Sequence, residues 1–232
     1  MTSLKLQSCF GIAVVLVVGA AGFAAPTLYG PTPYLQASDS PFAGLSLGYF
    51  HLEDFEDGLL NTPGVTASTG IPTKPTYSAS VTDSVDADDG LIDGFGNAGN
   101  SWFATPGVPG VTFTFDPTVL GTLPTHVGIV WTDGQDPVVF QAFDGIGNPL
   151  GAVGPAYIAD GSYFGGTAED HFFGISDAGG IGKITITSGQ SAGIEVDHLQ
   201  YGGPNPIPAP GAMLLGSLGT ALAGYLRRRR TL

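Results

Sequence analysis

The densest group of residues able to do chemistry runs Asp83-Ser84-Val85-Asp86-Ala87-Asp88-Asp89-Gly90-Leu91-Ile92-Asp93-Gly94. Asp83, Asp86, Asp88, Asp89 and Asp93 put five carboxylates into eleven residues. Like charges this close repel unless a cation sits among them. Ca2+ takes about six to eight hard oxygen ligands, and a glycine-bearing loop can wrap it. The spacing is not that of an EF-hand: counted from Asp83 or Asp86, the closing glutamate position falls on Gly94 or Asn97. The alternative is a solvated acidic loop in which Asp and Gly simply make turns.

A second acidic group sits at strand ends. Glu53, Asp54, Glu56 and Asp57 follow the first strand, and Glu195 and Asp197 lie on the last one. Strict alternation puts Ile194 and Val196 on one face of that last strand, with Glu195, Asp197, Leu199 and Tyr201 on the other. An apolar continuation of the acidic face points to burial of Asp197, and a buried carboxylate needs pairing or a metal. An edge strand with outward acids is the competing reading. The four histidines, His51, His126, His171 and His198, show no zinc spacing. No nucleophile elbow and no phosphate-binding glycine loop is present. Two carboxylates suffice for a glycosidase, but their separation is invisible in sequence. Among the aromatics, Trp102, Tyr157 and Tyr163 stand near loops or strand ends and are candidates to stack on a sugar.

The elements that must position these groups are strands. Gly 37 and Pro 18 make nearly a quarter of the 232 residues, which argues against a helical bundle. Alternating or apolar runs at Leu45 to Phe55, Thr76 to Val81, Val111 to Phe115, Val127 to Trp131, Val138 to Phe143, Phe172 to Ile175, Ile184 to Thr187 and Ile194 to Tyr201 are separated by turn residues. Asp133-Gly134 and Asp144-Gly145 read as turns, and Asn61 to Pro75, with three prolines, reads as a long loop. This spacing predicts a mainly β chain with a single antiparallel β-sandwich, jelly-roll-like, over residues 25–203.

Both ends read as addresses. Lys5, the apolar run Phe10 to Val18, and Gly22 and Ala24 make a signal peptide cut after Ala24, expected to form a signal helix over residues 1–24. Cys9, the single cysteine, leaves with it. At the other end a breaker cluster, Gly202 to Pro206, leads into Ile207-Pro208-Ala209-Pro210. A hydrophobic helix over about 208–226 follows, and then Arg227-Arg228-Arg229-Arg230. Twenty residues from Ile207 to Leu226 suffice to cross a hydrocarbon core of about 30 Å. The arginines would hold the far end in the cytoplasm. With both ends removed, Lys74 and Lys183 face twenty acids, so the net charge moves from -13 to -18. Such a chain attracts cations and is a poor nucleic-acid binder.

The tail of residues 204–232 resembles the PEP-CTERM sorting signal in its proline motif, small-residue helix and arginine cluster, with Ala209 in place of the motif's Glu. The same kind of tail is also labelled an ice-binding protein C-terminal domain. The resemblance implies removal by an exosortase-type membrane enzyme during export in a Gram-negative-type bacterium that makes exopolysaccharide or biofilm. Phe55-Glu56-Asp57-Gly58, Asp86 to Gly90 and Gly193 to His198 resemble extracellular domains found ahead of such tails, mostly uncharacterised. The expectation is therefore a non-enzymatic cell-envelope or extracellular-matrix protein. Signal peptidase and exosortase would act on it, it would pass through the inner membrane transiently, and it would bind Ca2+ and exopolysaccharide. The alternatives are a secreted carboxylate-dependent polysaccharide hydrolase and a purely structural surface protein with no ligand.

Overall fold

The computed structural model describes residues 24–73, 84–85, 99–158, 167–189 and 193–205, with single positions at 219 and 227. The expected signal peptide up to residue 23, the run Thr76 to Val81, Tyr163 and the acids Asp83, Asp86, Asp88, Asp89 and Asp93 lie outside the described residues. So does the expected tail, including Ile207, Pro208, Ala209, Pro210, Arg228, Arg229 and Arg230. Arg227 is described as a single helical position. Among the described residues no helix is long and apolar enough to cross a membrane.

The chain is mainly β, with two antiparallel sheets. In chain order the strands are β1 (Thr27–Pro33), β2 (Tyr49–Glu53), β3 (Val65–Ala67), β4 (Ile71–Thr73), β5 (Ser101–Ala104) and β6 (Gly110–Phe115). A four-residue helix, Pro117–Leu120, separates β6 from β7 (His126–Gly134). Then come β8 (Val138–Asp144), β9 (Pro149–Ala156), β10 (His171–Ser176), β11 (Ile181–Ser188) and β12 (Ile194–Gly203). The larger sheet runs β1-β10-β7-β12-β5-β4, with β2 also paired to β12. The smaller runs β3-β6-β11-β8-β9. β12 reaches two partners besides β7 because it is long: β5 pairs with Ile194 to Val196, and β2 with Leu199 to Gly203.

Alternation explains the core. Val111, Phe113 and Phe115 of β6 and Phe140 and Ala142 of β8 turn inward from the smaller sheet. Val127, Ile129 and Trp131 of β7 and Phe173 and Ile175 of β10 turn inward from the larger one. The two sets form a single apolar cluster, with the Phe140 and Phe173 rings stacked at 6.3 Å. On the other face of the larger sheet lies a second, smaller cluster. Val130 and Phe172 are covered there by Tyr34, Phe42 and Val85.

Several sequence expectations need correcting. The segment Asn61 to Pro75 is not one loop, because β3 and β4 lie within it. They are three residues each, too short to show a period. Asp133-Gly134 ends β7 and is not a turn. Asp144-Gly145 is one: Asp144 Oδ1 accepts from the Ile146 and Asn148 amides at 2.9 and 2.8 Å. The face assignment in β12 also fails midway. Ile194 and Val196 face the core, but so do Leu199 and Tyr201. The register against β7 slips between Asp197 and Gln200, and His198 sits there at φ 42°. That bulge shifts the alternation by one residue.

Tyr49 of β2 and Tyr201 of β12 bury their phenols beside one another, with the His51 ring tilted against both. Burial pushes both tyrosines up to about 12, and for Tyr201 the nearby Glu53 charge adds to it. The folded chain then holds these protons more tightly than the unfolded chain, whose tyrosines titrate near 10. Stability falls as pH rises through that interval. Alkaline unfolding followed by circular dichroism should show a loss of stability between about pH 10 and 12. Tyr49→Phe and Tyr201→Phe should flatten it. A stability level across the interval would contradict the burial of these groups.

Candidate functional site

The acidic residues after β2 work as loop acceptors. Glu53 is buried at the end of the strand. Its Oε1 accepts from the Phe55 amide at 3.3 Å. Its Oε2 accepts from the Asn61 and Thr62 amides at 2.9 and 3.0 Å and from the Thr62 hydroxyl at 3.0 Å. These bonds replace the water that burial removes. Asp54 accepts from the Glu56 amide at 3.2 Å, and Asp57 from the Leu59 amide at 2.9 Å and the Asn61 side chain at 2.6 Å. Both are Asx-type turn bonds.

Glu56 reaches further along the chain. Its Oε1 accepts from the Ser84 hydroxyl at 2.8 Å and from the Asn100 amide at 2.7 Å. Its backbone oxygen accepts from Asn100 Nδ2 at 2.8 Å. One carboxylate oxygen thus accepts from a residue on each side of positions 86–98. Gly99 must be glycine here. It has φ 78°, and a Cβ would stand 2.6 Å from Ser84 Oγ and 2.7 Å from Glu56 Oε1.

Asp197 completes this base. It is 0% exposed. Its Oδ2 accepts from the Val85 amide at 3.0 Å, and its Oδ1 from the His198 amide at 2.7 Å. Glu195, 4% exposed, accepts from the Ser101 hydroxyl of β5. The expectation that Asp197 is buried is met, while the edge-strand alternative is not: β12 lies between β7 on one side and β5 and β2 on the other.

A buried polar chain ties the segment before β2 to the same strand. Ser40 Oγ donates to Gln200 Oε1 at 2.5 Å, and Gln200 Nε2 donates to the Tyr34 hydroxyl at 2.8 Å. That hydroxyl shares a 2.9 Å hydrogen bond with His198 Nδ1. Tyr34 also donates its amide to the Asp170 carbonyl at 3.0 Å.

Sequence reasoning missed several buried acids in and beside the larger sheet. Asp133, Glu169 and Asp170 are all buried. Asp133 is the register partner of Glu195. Asp170 stands one step before His171, which pairs with Trp131. The doublet Glu169-Asp170 directly ahead of an apolar strand was the available signal. The aromatic candidates divide. Trp102 is 6% exposed, packs on Phe55 and Phe113 and donates to the Thr69 carbonyl at 2.9 Å. It is a core residue and not a ligand-facing one, because β5 turns it inward beside Val196. Tyr157 is 75% exposed. Among the described residues no three His, Cys, Asp or Glu side chains stand in an arrangement ready to hold a metal.

No protein-family model matches the chain, and no curated protein matches it. Among solved structures the chain is similar to the enzymatically active domain of bacteriophage CBA120 tailspike protein 4. The identity is 15% and the TM-score 0.25, over 75% of this chain and 22% of that one. A likeness at that level assigns neither fold nor activity.

The double bond at Glu56 makes a direct prediction. Glu56→Ala should speed hydrogen exchange at the Asn100 amide and cost roughly 2 kcal/mol, the scale of a charge-assisted hydrogen bond. Glu56→Gln, which keeps the accepting oxygen, should restore most of both. Unchanged exchange at Asn100 in Glu56→Ala would show that the carboxylate does not hold that end.

Proposed function

We propose that this chain is an exported cell-envelope or extracellular-matrix protein without catalytic activity. It is sorted by its PEP-CTERM-like tail, Ile207-Pro208-Ala209-Pro210 and Arg227 to Arg230. Its two sheets form a jelly-roll-like sandwich that binds Ca2+ through the Asp83 to Asp93 segment and presents a surface to exopolysaccharide. One observation carries the calcium reading. Glu56 Oε1 receives both Ser84 and Asn100, which flank a stretch holding four aspartates, Asp86, Asp88, Asp89 and Asp93, so a fifth carboxylate stands where that stretch begins and ends. Concentrating that much negative charge at one base favours a hard divalent cation.

The non-catalytic reading is supported by the use to which the neighbouring acids are put. Glu53, Glu56 and Asp197 each accept two or more hydrogen bonds from the chain itself. A general acid or base needs an oxygen turned toward substrate. Of the aromatic candidates among the described residues, Tyr157 presents an exposed ring for a sugar to stack on, and Ile158 beside it is tied to Asp136 at 3.0 Å.

The experiment is thermal unfolding of the full chain in detergent, with EDTA and with millimolar Ca2+ or Mg2+. Calcium held at 100 times its dissociation constant adds about 2.7 kcal/mol. For a domain of this size that raises Tm by roughly 5–10 °C. A rise with calcium that magnesium does not reproduce is the expected result, and no calcium-dependent change overturns the calcium reading. Membrane fractionation tests the sorting reading: replacing Arg227 to Arg230 with Gln should change the chain's distribution between membrane and medium, and an unchanged distribution would count against it.

A further inference from the structure

We infer that one end of the two sheets, the end from which the chain runs into its apolar tail, is a docking surface for a bilayer of zwitterionic lipid. The inference rests on the sorting reading proposed above and adds a contact surface to it. Register defines the end. Thr27 pairs with Ser176, Ser176 with His126 and His126 with Gly202, so the start of β1 and the end of β12 stand in one row across the larger sheet. Tyr49, the first residue of β2, pairs with Gly203 at the same end. The smaller sheet is tied on there. The Thr125 amide donates to the Gly202 carbonyl and the Ile181 amide to the Pro124 carbonyl, each at 2.8 Å. Ile181 opens β11 and pairs with Asp144, so the turn between β8 and β9 lies at this end. β6 also finishes here, with Thr114 paired to Lys183, and passes into the helix Pro117–Leu120.

Five of the eight large apolar side chains exposed among the described residues gather at this end: Leu28, Leu45, Phe50, Val119 and Ile146. Ile146 is 88% exposed in the turn capped by Asp144, where Gly, Asn and Asp are the residues that turn geometry favours. Val119 is 60% exposed while its neighbour Leu120 is buried. Phe50 lies beside Gly202, and Leu28 beside Gly151 of β9. Leu45 follows Phe42, whose ring packs on His126. Side chains as exposed as Ile146 and Val119 add little to folding, and apolar groups collected on one surface mark a contact. Tyr157 and Ile71, also exposed, lie toward the opposite end, after the last residue of β9 and beside Phe103 of β5.

The occupant follows from where the chain goes. From Gly203 to Ile207 is four residue steps, at most about 14 Å of extended chain. Ile207 opens the twenty uncharged residues that precede Arg227. The polar layer outside a hydrocarbon core is about 5–7 Å deep. A segment that crosses the bilayer from Ile207 therefore holds this end of the sheets against the headgroups, where its apolar side chains meet them. The expected signal peptide joins at the same end, because Thr27 stands three residues after Ala24. Charge selects the lipid. Hydrogen bonds from Thr118 hold Asp116, and from Asn148 hold Asp144, below the usual carboxylate range. Both carboxylates are exposed beside Val119 and Ile146, Asp177 in the turn after β10 adds a third, and Lys183 over the Phe143 ring supplies one cation. Anionic headgroups would be repelled, and zwitterionic ones would not.

The test uses the full chain with Cys9→Ser in phosphatidylcholine vesicles and a fluorophore on one added cysteine: Ile146→Cys, Tyr157→Cys or Ala221→Cys. Brominated acyl chains quench a label in the membrane, and iodide quenches a label in water. The label at position 146 should be quenched by brominated lipid severalfold more than the label at 157, and Leu45→Asp with Val119→Asp should reduce that quenching. Lipid quenching at 146 no greater than at 157, with 221 quenched, overturns the docking surface and leaves the sorting reading standing. A label at 146 hidden from iodide yet untouched by brominated lipid shows that a second copy covers this end, and overturns the bilayer as occupant. No lipid quenching at 221 overturns both readings.

Discussion

Two residues of the described chain other than glycine sit at positive φ, Phe55 at 56° and His198 at 42°. Each donates its own amide to a buried carboxylate one or two residues earlier, Phe55 to Glu53 and His198 to Asp197. A non-glycine residue in that region costs about 1–3 kcal/mol and persists only where its surroundings fix it. The carboxylate-to-amide bond is the fixing element in both places, and the rest of the architecture follows. At Asp197 it sets the bulge that returns Leu199 and Tyr201 to the core. At Glu53 it turns the chain so that the Phe55 ring packs on Trp102 inside.

The same carboxylates then reach outward. The second oxygen of Asp197 takes the Val85 amide, and Val85 caps the cluster of Tyr34, Phe42, Val130 and Phe172. Glu56, one residue past Phe55, takes Ser84 and Asn100. Acids that look on paper like a metal centre are thus first a set of acceptors holding backbone in place. Amide donors compensate their burial locally where they exist.

Much of the fold was legible because alternation is strong wherever a strand has one core face. Val111, Phe113 and Phe115, and Val127, Ile129 and Trp131, lie as their spacing predicts. The acidic-ended strand β2 pairs with the last strand. The strands that escaped notice are short or are interrupted by glycine and proline: β1 contains Gly30 and Pro31, β4 contains Pro72, and β9 contains Gly151, Gly154 and Pro155. Their pattern is broken by residues that the sheet edges tolerate. The bulge at His198 was invisible because it depends on a bond between Asp197 and the next amide, which no periodicity reports. Trp102 was misplaced because a tryptophan next to a glycine-rich stretch looks like a loop residue until β5 is paired with β12. Asp133 was hidden by the glycine after it, which made a strand end resemble a turn.

The most direct test of this account is native-state hydrogen exchange on Asp197→Asn. The amide nitrogen of asparagine can replace one accepting oxygen with a donor but cannot accept from both Val85 and His198. Protection at the Val85 and His198 amides should fall together, while Phe140 in the smaller sheet keeps its own. If Val85 stays as protected as in the parent, the carboxylate is not what joins the outer layer to the sheet, and the account is wrong at its centre.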